Sequence, residues 1–235
     1  MSGGGQVLSA DAIAALVDAA REGRLPEETT TPQRRRRMRA VDFTRPTKFT
    51  ADQERRLKRG LEAFCRTAST RLSAELRVPL ELEVINASQL TWANAHGQVL
   101  AGSISAITEV HPIGTRLMMS CEPPLILGAI ELLLGGSEIT EQRERRLSDI
   151  DMALARHFFD RMLAQLSVIW TDAVGLELSV LQLETHLETA QMVAVSEPTM
   201  TFTMEARFDG HSSTIALLLP WSAIAPVADR FGARD

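Results

Sequence analysis

Apolar residues along this chain recur at two different periods, and the switches between them mark out the elements. Leu57, Leu61, Phe64, Ala68, Leu72 and Leu76 fall at helical spacing on one face of a helix over residues 50–77. Thr50 stands at its N-cap, and Arg55, Arg56, Lys58 and Arg59 fall on the side facing water. The run Leu80-Glu81-Leu82-Glu83-Val84-Ile85 then alternates, the pattern of a half-buried strand, and residues 99–107 and 115–120 predict two more strands. Helical spacing returns at Leu125, Ala129, Ile130 and Leu133, and stops at Gly135 and Gly136, the residue type that adopts a left-handed helix end at least cost. A long helix is predicted over 148–170. Ser148 can cap it, Asp151 can reach back to the cap amide, and its stripe reads Ile150, Leu154, Phe158, Met162, Leu166 and Ile169, widened by Phe159 and Leu163. Strands near 176–180, 192–196, 200–208 and 214–219 follow, with a closing helix over 221–231.

The second half repeats the order of the first, down to individual words. Val78-Pro79-Leu80-Glu81-Leu82-Glu83-Val84 stands where Val174-Gly175-Leu176-Glu177-Leu178-Ser179-Val180 stands later. Two helix, three-strand, helix units sharing one sheet about a pseudo-twofold axis predict an α/β sandwich, with helices covering the faces of the sheet. That domain is expected over 41–235. Ahead of it, residues 1–20 contain a short amphipathic helix, with Ser9 as cap and Ala12, Ile13, Leu16, Val17 and Ala20 as its apolar strip. Residues 21–40 carry Gly23, Pro26, Pro32, a threonine run and Arg34, Arg35, Arg36 and Arg37, with almost nothing apolar, the composition of a disordered tether. A helix of about a dozen residues is marginal alone in water, so one on a tether suits a partner's groove.

Composition narrows the function classes. The net charge of -5, and an arginine cluster without interleaved aromatics, argue against nucleic acid as a partner. No apolar run approaches the roughly 20 residues that cross a bilayer, and the glycine-rich start lacks the features of a signal peptide, so a cytoplasmic protein with no direct membrane insertion is expected. Cys65 and Cys121 are the only cysteines and lack neighbours at metal-ligand spacing, which predicts reduced thiols, no metal and no cofactor. His96, His111, His157, His186 and His211 are scattered over different elements.

The segment Val41-Asp42-Phe43-Thr44-Arg45-Pro46-Thr47-Lys48-Phe49, running directly into a long helix, resembles the start of the middle domain in the flagellar motor switch family FliM. Phe43 and Phe49 are expected to pin it to that helix. The resemblance implies the pseudo-twofold fold shared with the CheC and CheX phosphatases. It also implies that the loop Gly135-Gly136-Ser137-Glu138, in place of the family's Gly-Gly-x-Gly, contacts the rotor protein FliG. In the N-terminal helix, Leu8, Ser9, Ile13, Ala15 and Leu16 match the family's stretch that binds the phosphorylated response regulator CheY. Val17 is a conservative change there, and Ala10, Ala12 and Ala14 replace polar members. Neighbouring copies in a ring, at the inner face of the cell membrane in the flagellar basal body, complete the implied setting. The family's C-terminal domain that pairs with FliN is missing from this sequence, so FliN recruitment by that route does not follow.

An enzyme reading is the alternative. In the phosphatases an active helix carries Glu and, three residues later, Asn, which together orient and deprotonate a water against an aspartyl phosphate. Here Glu54 is followed at that position by Leu57 and Glu62 by Cys65, and residues 148–170 contain neither Glu nor Asn. The expected function is therefore a non-catalytic adaptor that receives the chemotaxis signal and passes it to FliG to set rotation direction. A stand-alone binding domain unconnected with motility is the third reading.

Overall fold

The computed structural model describes residues 48–136, 147–186 and 192–232, all within one compact unit, Asp42–Asp235. Helix α1 (Ala51–Leu76) starts at Thr50, whose side chain accepts from Gln53 N while the Gln53 side chain accepts from Thr50 N at 2.8 Å. The expected stripe from Leu57 to Leu76 is buried in full. Strand β1 (Leu80–Thr91) runs on past the predicted Ile85 into α2 (Trp92–Gly97), a short helix the periodicity does not announce. Strands β2 (Ile104–His111) and β3 (Thr115–Cys121) form a hairpin that leads into α3 (Pro123–Leu133).

The second half repeats this order. Helix α4 (Asp149–Val174) begins with the predicted reciprocal cap, Ser148 N donating to Asp151 Oδ2 at 2.8 Å and Asp151 N to Ser148 Oγ at 3.3 Å. Then come β4 (Glu177–Glu184), β5 (Pro198–Phe208), β6 (His211–Pro220), α5 (Trp221–Ile224), a 3-10 turn (Ala225–Val227) and α6 (Ala228–Gly232).

The six strands lie in the order β1-β5-β6-β3-β2-β4, with all pairs antiparallel. Exchanging β1 with β4, β2 with β5 and β3 with β6 returns the same order read backwards, the signature of the expected pseudo-twofold arrangement. Each half gives its first strand to the hairpin of the other: β1 pairs with β5, and β4 with β2. Neither half can close its sheet without its counterpart.

The helices do not divide between the faces as expected. Buried residues of α1, α3 and α4 share one core with Leu117, Met119, Leu217 and Leu219, while the intervening Met118 and Leu218 point the other way, against Trp92 and Ala95 of α2. Side chains alternate across a strand, so the long helices occupy one face and α2 covers part of the other.

Four sequence expectations are corrected. Residues 99–103 form turns and the strand begins at Ile104, since Gly102 takes φ +84°. No strand forms over 192–196; Val195 O and Glu197 O instead accept from Ala93 N and Trp92 N, tying that stretch to the start of α2. The closing helix is interrupted at Pro226, which cannot donate the bond that would continue it. Ile150, placed in the stripe of α4, is 67% exposed; the buried face runs through Ala155, Phe158, Phe159, Met162, Leu163, Leu166, Trp170 and Val174.

The repeat extends to single hydrogen bonds. In the first half Ser69 Oγ accepts from Leu82 N at 2.8 Å and Ser73 Oγ donates to Leu80 O at 3.1 Å. In the second half Ser167 Oγ accepts from Leu178 N at 2.9 Å and Thr171 Oγ1 donates to Leu176 O at 3.0 Å. Both strands are sheet edges, whose free backbone groups would otherwise invite another strand. Each edge also carries a bulge at the matching place, Ile85 in β1 and Leu181 in β4, and each bulged side chain is turned to solvent. Bulges twist an edge away from further pairing. Hydroxyl clasps and bulges thus close both ends of the sheet with the same devices.

Candidate functional site

The end of α3 is built by its sequence with little freedom. Pro123 occupies the first helical position, where a missing N–H costs nothing, and Glu122 before it ties the helix to β6 by accepting from Thr214 N at 2.8 Å. Leu125, Ile126, Ala129 and Ile130 bury one side of the helix against the core. At the other end Gly135 N donates to Leu132 O at 3.0 Å and Gly136 N to Glu131 O at 2.9 Å, with Gly135 at φ +92°. This pair of crossed bonds is the Schellman arrangement, which satisfies the last carbonyls of a helix and needs glycine at the left-handed position.

Gly136 is required for a different reason. A Cβ there would lie 2.9 Å from Glu131 Cγ and 3.0 Å from Glu131 O, and the backbone contact cannot move aside without opening the helix end. At Gly135 nothing stands within 4 Å, so its constraint is conformational alone. The two glycines expected to shape a contact loop therefore fix the direction in which the chain leaves α3. Leu134, next to them, is 66% exposed, and Ile150 at the start of α4 is 67% exposed. Sequence reasoning assigned Ile150 to the core and passed over Leu134. Both bracket residues 137–146 in the chain. Ser137 and Glu138 lie outside the described residues, as do Leu8, Ser9, Ile13, Leu16 and Val17, the tether over 21–40 and Phe43.

Phe49 is buried, but the ring and hydrogen-bond partners that seat it lie outside the helix it was expected to pin: its ring meets Trp221 edge-on at 5.1 Å, and its backbone exchanges bonds with the Gln89 side chain at 3.0 and 3.3 Å. This clamp fixes the start of α1 against β1 and α5.

The helices that would carry phosphatase chemistry present other groups. Cys65, three residues after Glu62, is buried with Sγ 3.7 Å from Met204 Sδ, and Leu57, three after Glu54, is buried as well. Burial, with Glu62 nearby, pushes the Cys65 thiol up to about 12. Cys121 is also free and buried, and burial raises its thiol further. Of the histidines, His157 Nε2 meets Glu75 Oε1 at 2.7 Å across α1 and α4, His111 Nε2 meets Ser179 Oγ at 3.0 Å, and His96 packs against Trp92. They occupy separate places. Among the described residues no helix is long and apolar enough to cross a membrane.

Comparison with known proteins agrees with this architecture. A family model described as flagellar motor switch protein FliM matches residues 50–235. The flagellar motor switch protein FliM of Treponema pallidum is 28% identical over 230 residues, covering 97% of this chain and 67% of that protein. That of Bacillus subtilis is 25% identical over 224 residues, covering 95% of this chain and 68% of its own length. Among solved structures, a FliG-FliM complex from H. pylori contains a chain of the same fold, with a TM-score of 0.72 at 20% identity, covering 77% of this chain and 99% of that one. With a family match across most of its length and a pseudo-twofold plate of the kind that family displays, the chain belongs to the FliM family of flagellar motor switch proteins.

Proposed function

We propose that this chain works as a non-catalytic adaptor of the flagellar rotor, binding FliG through the loop that leaves α3 and receiving phosphorylated CheY on its N-terminal segment. The observation that carries the FliG half is the Schellman end of α3, where Gly135 and Gly136 set the path of the chain and Leu134 offers an exposed apolar side chain beside it. Ser137 and Glu138 are assigned to the same contact. Support comes from the solved FliG-FliM complex of H. pylori, in which a chain of this fold is bound to FliG. Its residues are different from these at four positions in five, so the support is for the use of the fold.

Leu8, Ser9, Ile13, Leu16 and Val17 form the regulator-binding set. Captured CheY is then held at high local concentration beside the plate, and a second contact shifts how the plate sits against FliG and against neighbouring copies in the ring. The setting is the cytoplasmic face of the membrane, reached through these partners. A phosphatase role is disfavoured by chemistry: the residue three positions after Glu54 and after Glu62 faces the core, so neither carboxylate has a carboxamide beside it to orient a water.

The test is a pull-down of purified FliG by the full chain, native against Gly136→Ala. Retention by the native chain and loss by the variant is expected; equal retention overturns the assignment of the α3 end. For the regulator, a peptide of residues 7–20 should bind phosphorylated CheY saturably and lose that binding with Ile13→Asp. Accelerated dephosphorylation of CheY by the full chain would instead favour the enzyme reading.

A further inference from the structure

Two clefts open along the seam where α1 and α4 pack together. One, of about 480 Å³, is lined by Arg71, Leu72, Ala74, Glu75, Arg161 and Gln165. Its carboxylate is already engaged, since Glu75 Oε1 meets Arg161 Nε at 3.5 Å and His157 Nε2 at 2.7 Å. The other, of about 400 Å³, lies between the first half of α1 and the last turns of α4, and its charges are not matched. Arg56 and Arg59 of α1 and Arg230 of α6 line it, against Asp172 as the single acid of the lining. Arg230 Nη1 donates to Val174 O at 3.1 Å, at the end of α4. Arg56 and Arg59 have neither hydrogen bond nor ion pair with any described residue. The wall behind them is apolar and buried, formed by Leu57, Trp170 and Val174.

Two guanidinium groups three positions apart on one helix face, with no partner among the described residues, repel each other. Three cations against one carboxylate leave this small cleft with an excess of positive charge, although the whole chain is acidic. Guanidinium forks match phosphate oxygens in geometry as well as in charge. The volume falls within the range of roughly 300–1,000 Å³ typical of small-molecule sites, and the apolar wall offers a surface for the rest of such a ligand. We propose that this cleft binds the phosphate group of a small molecule, Arg56 and Arg59 taking its oxygens and Arg230 closing the cleft from α6. The site is distinct from the α3 end, and the inference does not rest on the FliG assignment.

The experiment is calorimetric titration of the full chain, at low salt, with inorganic pyrophosphate and with a nucleoside monophosphate. Saturable binding is expected for at least one of them, weakened about tenfold or more by Arg56→Gln with Arg59→Gln, because charge-assisted bidentate contacts carry the affinity. Asp172→Asn should tighten it, since the variant removes the one repelling carboxylate, and Arg71→Gln in the other cleft should leave it unchanged. All these side chains are on the surface of the seam, and unchanged melting temperatures will confirm folding. Absence of saturation, equal affinity in the double variant, or no gain from Asp172→Asn overturns the proposal. So does sedimentation with phosphatidylserine vesicles combined with indifference to both soluble phosphates, which would make the cleft a reader of membrane surface.

Discussion

Single hydroxyl groups have an unusual structural share in this protein. Ser69 and Ser167 each satisfy the backbone N–H of a leucine on an edge strand, Leu82 and Leu178, at 2.8 and 2.9 Å. Removing the hydroxyl leaves a partly buried donor without a partner, so Ser69→Ala and Ser167→Ala should each cost about 1–2 kcal/mol. The two sites lie on opposite edges of the sheet, and their costs should add in the double variant. Chemical denaturation checks both statements, and a free energy unchanged in either single variant would remove the clasp from the account. The cysteines make a second residue-scale prediction. Both thiols are buried, and burial holds the proton on each. The thiolate is the reactive form, so the native protein should resist alkylation at neutral pH and both thiols should react once it is unfolded. Rapid labelling of the native state would contradict their placement.

Among elements, the helix caps and the buried face of α1 were legible in the sequence because each depends on residues close together in the chain. Thr50, Ser148 and Asp151 act on groups within a single turn, and Leu57 to Leu76 hold one face throughout. The stripe of α4 was misread at its start for a geometric reason. Steps of four residues advance about 40° each around a helix, so a path that begins at Ile150 and proceeds by fours crosses from the exposed side to the buried one. A stripe anchored at Phe158 and Phe159 and followed backwards reaches Ala155 and leaves Ile150 in solvent. Ile150→Ala should accordingly change stability by less than about 0.5 kcal/mol, whereas Phe158→Ala should cost about 3–5 kcal/mol. Comparable losses from the two would place Ile150 in the core after all. Helix α2 escaped notice, and the stretch before β5 was misread as a strand, because what holds them is remote: Trp92 N and Ala93 N bond to Glu197 O and Val195 O, about a hundred residues onward. The candidate contact loop was only half legible. Gly135 and Gly136 announce a helix end from sequence alone, but the exposure of Leu134 beside them depends on how α3 lies against the core.

On the scale of the whole molecule, the exchange of first strands explains why the two halves form one body. Because β1 completes the hairpin of the second half and β4 that of the first, the core cannot be divided along the chain. Residues 48–136 expressed alone should therefore be unfolded, or fold only as a dimer in which a second copy takes the place of the missing half. Sedimentation with circular dichroism decides this, and a folded monomer would contradict the interlocked sheet. Such a plate is suited to a switch component, since the proposed contact at the end of α3 would be carried on a layer of helices packed over a six-stranded sheet. The central claim is that this plate acts by being held, through the chain path fixed at Gly136. The most direct measurement is the affinity of purified FliG for the full chain, compared among the native protein, Gly136→Ala and, as a control for lowered stability, Ser69→Ala. The account predicts that Gly136→Ala abolishes binding while Ser69→Ala retains it; equal affinity in all three, or no FliG binding by the native chain, would contradict it.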